Sequence, residues 1–341
     1  MSGGVDSSVA AALLKEAGHD LVGVTMRLWG DIEDSEPAVS SAREVCAQLG
    51  IEHKVLDVRE SFQREVISYF LDEYIKGDTP NPCVRCNERI KFGILPKFMD
   101  LVRAERLCSG HYARVLLDGK TGNYILMKAL DEFKDQSYFL YRLTQKQLDV
   151  AIFPLGDMTK AETRDKARRL GLASAEHEES QEICFVPDDD YRGFIEAERP
   201  ESVQEGEFVD KSGSVLGRHR GVAFYTVGQR KGLGVSSPLG RRYVLDRDPE
   251  TRRIVLGDEA ELKRDGCTVG SLNFLSGQPP ASPFEAQVRL RYRSKAVKAI
   301  ITLDGEVAHV TFRSTQNSVA PGQSAVFYDS DTVIGGGIIQ K

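Results

Sequence analysis

Apolar residues recur along this chain with two different periods, and the change from one to the other divides it. Val9-Ala10-Ala11-Ala12-Leu13-Leu14 reads as a helix, and Leu21-Val22-Gly23-Val24-Thr25-Met26 as a strand buried on both faces. A helix from about Val39 to Leu49, stopped by Gly50, and a strand near Lys54–Val58 complete an α/β rhythm. Ser61 is placed to cap the next helix, where Phe62, Val66, Phe70 and Tyr74 share one face and Gly77 ends the run. A loop with Pro80 and Pro82 leads into another helix and then to Leu107-Cys108-Ser109-Gly110-His111-Tyr112. Asp118-Gly119 and Thr121-Gly122 signal a hairpin, and Thr159-Lys160-Ala161-Glu162 is a capping box opening a helix that ends at Gly171. Beyond about Tyr191 the period shortens: glycine-split alternating segments read as small β structure, and Asp265 to Lys341 as a six-stranded barrel. Three domains follow, 1–190, 191–260 and 261–341.

Ahead of the first helix stands Ser2-Gly3-Gly4-Val5-Asp6-Ser7-Ser8. A glycine pair lets backbone N–H groups turn around an anion, the hydroxyls of Ser2, Ser7 and Ser8 add donors, and the helix dipole faces the same point. Such a loop wants phosphate, yet it has no lysine and does not fit the Walker pattern. The plain alternative is a glycine turn capping an ordinary helix, with Asp6 a solvated first-turn carboxylate. In a doubly wound sheet the loop would follow a buried strand, whereas only Met1 precedes it here, so the expectation is a native start further upstream.

Composition narrows the class. With 341 residues, 41% hydrophobic content and a mean hydropathy of -0.31, the chain reads as globular, and no apolar run approaches the roughly 18 residues that span a bilayer. No secretory leader is evident, which makes the cytoplasm the expected compartment and a membrane role unexpected. A net charge of -6 argues mildly against nucleic acid, but from Asp265 onward seven cations stand against six acids. Val288, Leu290 and Tyr292 alternate with Arg289, Arg291, Arg293 and Lys295, so a strand there would show its cations on one outer face, either to meet a phosphate backbone or merely to keep that face soluble.

Six cysteines in a chain this long do not suggest a secreted disulfide framework. Cys46 and Cys108 sit in apolar patterns and read as core residues. Cys83-Val84-Arg85-Cys86 lies behind a proline-stiffened loop with Arg85 and Arg89 beside it, and cations lower a thiol pKa. Cys184 follows the polar stretch Glu179-Ser180-Gln181-Glu182, and a pair plus a distant third cysteine is what thiolate attack on a sulfur–sulfur bond needs.

S-G-G-V-D-S-S, T-P-N-P-x-x-x-C-N, S-G-H-Y, K-D-Q-S-Y-F-L, S-Q-E-I-C-F, G-Q-R-K-G-L-G and A-P-G-Q-S-A-V-F-Y occur in this order, and in it the whole chain resembles the tRNA-specific 2-thiouridylases. The resemblance implies an α/β plus β architecture: a pyrophosphatase-loop domain with a parallel sheet, a small β-rich connector and a C-terminal β-barrel holding tRNA. It implies that ATP, with Mg2+, adenylates the C2 oxygen of the wobble uridine, that Cys184 carries sulfur as a persulfide received from a donor protein, and that Cys86 attacks it, leaving a Cys86–Cys184 disulfide. Carried over by position, the nucleotide site falls on Met1, Ser2, Gly3, Gly4, Val5, Asp6, Ser7, Met26 and Gly110. Asn81, Pro82 and Cys83 meet the target base, and His111, Lys134, Asp135, Gln136, Arg291, Tyr292 and Gln323 meet tRNA. Many members carry aspartate where this chain has Cys83, so Cys83, Cys86 and Cys184 alternatively form a three-thiolate set for an iron–sulfur cluster. Two other functions stay open: a related ligase that uses ammonia instead of sulfur, and a tRNA-binding protein with an impaired nucleotide site.

Overall fold

The structure is a computed structural model and describes residues 1–177, 183–235, 240–317 and 319–341. The alanine-rich helix Val5–Glu16 buries Val9, Ala10, Ala11 and Ala12 and packs against the helices Ile32–Leu49 and Lys160–Arg169. Parallel strands form as the apolar runs predict: Val22–Arg27 pairs with Glu52–Asp57, and Leu107–Cys108 with Ala151–Ile152. Among the described residues these are two separate two-stranded sheets. Met1 donates its amino group to the carbonyl of Val24 and sits within electrostatic reach of both Cys46 and Cys108.

Two helix starts differ from the expectation. The helix predicted from about Val39 begins at Ile32, because the polar stretch ahead of Val39 has no apolar period to announce it. Ser61 caps nothing: it lies inside the helix Arg59–Phe62, whose entry is fixed by the Asp57 carboxylate accepting from the Arg59 N–H at 3.1 Å. That helix widens into a π turn, Gln63–Ile67, before continuing as Ser68–Ile75. The Thr159 capping box forms as predicted, with both reciprocal bonds between Thr159 and Glu162.

The middle region is a four-stranded sheet in the order Val215–His219, Gly206–Val209, Arg253–Gly257, Tyr243–Asp248. Its buried Phe208, Phe224, Val244 and Ile254 join one core with Phe62, Phe70, Tyr74 and Phe185, so it is welded to the first region rather than tethered to it.

The C-terminal strands close into an antiparallel six-stranded barrel. Around it run Arg264–Phe274, Val307–Gln316, Val297–Asp304, Phe284–Arg289, Ser324–Asp329 and Thr332–Ile339, the last pairing back onto the first. Val288, Ile301, Val310 and Phe327 fill the interior. The predicted hairpin forms too, from Arg114–Leu117 and Tyr124–Met127, and is annexed by the barrel sheet where Met127 pairs with Thr332. No helix among the described residues is long and apolar enough to cross a membrane.

Candidate active site and RNA-facing cleft

A cleft of about 2650 Å³ runs from the glycine loop past Cys83 and Cys184 to the barrel residues Arg291 and Tyr292. Its phosphate end is built by two close approaches. Gly3 has a φ of +77° and lies under Ala38, where a side chain would clash, and its carbonyl is held by the Ser41 hydroxyl at 2.9 Å and contacted by His177 Nδ1 at 3.0 Å. Gly110 presses its backbone onto the loop, since a Cβ there would lie 2.8 Å from the Ser7 nitrogen. Met26 lines the same cleft from its strand. Gly4 caps the helix with no side-chain bond, leaving the Val5, Asp6 and Ser7 N–H groups without helical partners.

The serine hydroxyls depart from the expected pattern. Ser8 is fully buried and donates to the Gly4 carbonyl at 2.9 Å, and Ser7 donates to the same carbonyl at 3.1 Å while accepting from the Ser2 N–H. They shape the loop from inside, and the backbone N–H groups and Ser2 are what it presents.

Asp6 is not a solvated carboxylate. Its Oδ1 accepts from Lys160 Nζ at 2.7 Å and from the Tyr112 hydroxyl at 2.9 Å, which also lies 3.0 Å from Thr163 Oγ1. The lysine absent from the loop is thus delivered from a helix 154 residues away. In the sequence Lys160 stands out only as part of a capping box and Tyr112 only as the end of the S-G-H-Y stretch, and nothing marks His177. Gln136, one of the expected tRNA contacts, grips Tyr112 by two bonds, donating its N–H to the Tyr112 carbonyl at 2.8 Å and accepting at its side-chain oxygen at 3.0 Å.

At the sulfur end, Asn81 caps the helix Pro82–Cys86 by accepting from the Val84 N–H at 3.3 Å, with Pro82 at the first helical position. Cys83 opens on the cleft, Cys86 is buried beneath, and Cys184 is exposed on the facing segment, whose Phe185 shares a core with Cys86. Gln181 and Glu182, just before Cys184, lie outside the described residues. The three thiols stand near enough to oppose one another's ionisation. Surrounding protein, then the Cys86 thiol, pushes Cys83 up to about 11; surrounding protein, then Cys86 and Cys83, pushes Cys184 up to about 12; burial raises Cys86.

The arginines do not lower these values as the sequence suggested. Arg85 is taken by Glu65 at 3.2 Å and Glu88 at 3.7 Å, and Arg89 by Glu88 at 3.4 Å, while the cation acting on all three thiols is Lys91. Among the described residues no three His, Cys, Asp or Glu side chains are placed to hold a metal ion, Cys83, Cys86 and Cys184 included. As arranged, the thiols do not fit a cluster.

Several expected tRNA contacts are instead internal. His111 is 7% exposed, wedged between Phe92 and Phe153 with Ser109 Oγ at 2.6 Å from its Nδ1, and burial holds it neutral. Asp135 is 1% exposed and accepts from the Ala129 and Ser137 N–H groups, the Ser137 hydroxyl and Arg289 at 3.0 Å. It cannot reach a phosphate; it clamps the first region to the barrel. Gln323 donates to the Thr79 carbonyl at 2.8 Å and so steadies the loop before Asn81. Lys134 and Tyr292 remain half-exposed at the cleft, Tyr292 tilted against Phe139 with ring centres 4.4 Å apart.

The row of cations dissolves as well. The strand stops at Arg289, which turns inward to Asp135, and Arg291 donates to the Val227 carbonyl at 3.2 Å, leaving Arg293 and Lys295 on the surface of the following turn. Alternation along the chain was read as one straight strand, and a turn broke it.

Residues 1–188 match the family model described as tRNA methyl transferase HUP domain, residues 192–258 the tRNA methyl transferase PRC-barrel domain, and residues 264–339 the aminomethyltransferase beta-barrel domain. Over its whole length the chain is 45% identical to the tRNA-specific 2-thiouridylase MnmA of Carboxydothermus hydrogenoformans, covering 96% of that protein. It is 43% identical to the protein of the same name from Clostridioides difficile, covering 97% of it, and 46% identical to that of Heliobacterium modesticaldum, covering 91%. The chain belongs to the tRNA-specific 2-thiouridylase family. In this 2-thiouridylase family member, then, the glycine loop with Lys160 and the thiol-bearing residues Cys83 and Cys184 line one cleft.

Proposed function

We propose that this chain thiolates the wobble uridine of tRNA at C2, using ATP to make the oxygen leave as AMP. The single observation that carries the reading is the cleft itself: a loop shaped for phosphate and two cysteines with a third beside them face one space large enough to admit a splayed-out base. The division into 1–190, 191–260 and 261–341 follows the same reading, with the barrel and connector holding RNA against the adenylating region, in the cytoplasm where tRNA and ATP meet.

At the phosphate end, the free N–H groups of the loop and Lys160 hold the nucleotide, and Lys160 offsets charge building on the departing pyrophosphate. Asp6 fits a magnesium role, because its Oδ1 is engaged by Lys160 and Tyr112 while Oδ2 stays open to the phosphates. Bound Mg2+ would neutralise the nucleotide's charge.

At the sulfur end, a donor protein loads Cys184 as a persulfide. The Cys86 thiolate attacks the inner sulfur of Cys184, forming a Cys86–Cys184 disulfide and releasing hydrosulfide, which adds at C2 as AMP departs. An external dithiol, or two thiols in turn, then reduces the disulfide to the two free thiols and is itself oxidised to a disulfide. Asn81, Pro82 and Cys83 hold the base at this point, and Lys134, Arg291 and Tyr292 guide the RNA.

The test is to incubate the full chain with unmodified tRNA, ATP, magnesium and a persulfide source, then weigh the digested nucleosides. The expected product shows the mass gain of an oxygen-to-sulfur exchange, lost in Cys184→Ser and Cys86→Ser while tRNA affinity stays within about twofold. A methyl gain, an amino product in Cys184→Ser, or tRNA binding without ATP–pyrophosphate exchange would overturn it.

A further inference from the structure

The segment Asn87–Lys91 is a π turn set between the thiol helix Pro82–Cys86 and the helix Phe92–Val102. Closure over five residues instead of four seats Lys91 one turn below Cys86, the place that an unbroken α-helix would give Ile90. Ile90 goes fully into the core, and Lys91 is half-buried in the lining of the cleft that Cys83 and Cys184 also line.

Its neighbours are answered. Glu65 and Glu88 take Arg85, Glu88 also takes Arg89 and Arg142, and Asp6 takes Lys160, whereas Lys91 has no carboxylate partner among the described residues. A half-buried ammonium left unpaired in a cleft full of sulfur calls for an anion. Phosphate is the first candidate by charge, but the loop at the other end holds its own lysine, Lys160.

We infer that Lys91 is the counter-ion of the sulfur anion handled in this cleft, its ammonium pairing with the thiolate of Cys184. The identity of the chemistry this serves rests on the thiolation reading; the pairing itself does not. It answers a need the packing creates, because surrounding protein raises all three thiols and neighbouring thiols raise Cys83 and Cys184 further, and one fixed ammonium offsets both effects.

The test uses the full chain without tRNA or ATP, as wild type, Lys91→Gln and Lys91→Arg, treated with iodoacetamide at mildly alkaline pH and read by peptide mass spectrometry. Cys267, in the barrel and raised to about 12 by burial alone, is the internal reference. Lys91→Gln should slow labelling of Cys184 and Cys83 about tenfold, one pKa unit's worth of thiolate, with Lys91→Arg near wild type and Cys267 unchanged. Equal labelling of Cys184 in wild type and Lys91→Gln would overturn the inference, as would a loss of ATP affinity in Lys91→Gln with labelling unmoved, which would make Lys91 a phosphate ligand. Thermal melts of both variants check that the fold is kept, and a uniform rise in labelling at every cysteine, the mark of unfolding in Lys91→Gln, is resolved by whether Lys91→Arg still labels as wild type. A wild-type enzyme that never thiolates RNA would sink the functional reading while leaving this labelling difference intact.

Discussion

Asp6 accepts from Lys160 and from the Tyr112 hydroxyl at one oxygen, and in the proposed reaction this pair serves the phosphates and the magnesium. Asp6→Asn would loosen all three at once, so ATP–pyrophosphate exchange should fall by about two orders of magnitude or more while tRNA binding holds. Lys160→Met should give a loss of similar size, and Gly110→Ala should abolish exchange, because its Cβ would drive into the Asp6–Ser7 backbone at 2.8 Å. The loop was legible in the sequence because seven consecutive residues carry it. Lys160 and Tyr112 were not, since nothing local links them to Asp6; only the packing of the helix Lys160–Arg169 on Val5–Glu16 does. The arginines beside Cys86 misled for the matching reason: sequence shows a cation near a thiol but not the glutamate that has claimed it.

Between elements, buried polar contacts fix the thiol helix and the barrel in one frame. Asp135 and Arg289 form an ion pair with side chains 1% and 14% exposed, and Arg289→Met would leave that carboxylate buried without its cation. Such a loss typically costs about 3–5 kcal/mol, to be read as a shift in denaturant midpoint, and Asp135→Asn together with Arg289→Met should recover part of it. Arg247, 1% exposed, donates to Thr79 Oγ1 at 2.9 Å and to the Tyr225 carbonyl, so the middle region too holds the loop ahead of Asn81. The strands, the hairpin and the six-stranded barrel could be read from two-residue alternation and turn residues, which are local signals. Where the cations of the barrel strand go could not, because Arg289 and Arg291 are committed to partners in other regions of the chain.

For the molecule as a whole, burial shifts titrating groups at both ends of the pH scale. His53, His111 and His219 are all held below their ordinary 6.5 by burial, so the unfolded chain takes up protons there before the folded one does. Stability is therefore full above that value and declines as pH falls through it. Cys108 and Cys267 sit above their ordinary 9.0, so their contribution is full below that value and is lost as pH climbs toward about 12. Thermal melts should show a plateau between about 6.5 and 9, falling on both sides, with the acid slope reduced in His111→Gln.

The hairpin borrowed by the barrel begins two residues after Tyr112, and Arg114 and Lys128 fasten it to Asp331 and Ser330 at the barrel's last turn. The barrel's edge is thereby tied, across two residues of backbone, to the tyrosine whose hydroxyl donates to Asp6, so a change in the hairpin's seating and a change in the loop share one short span of chain.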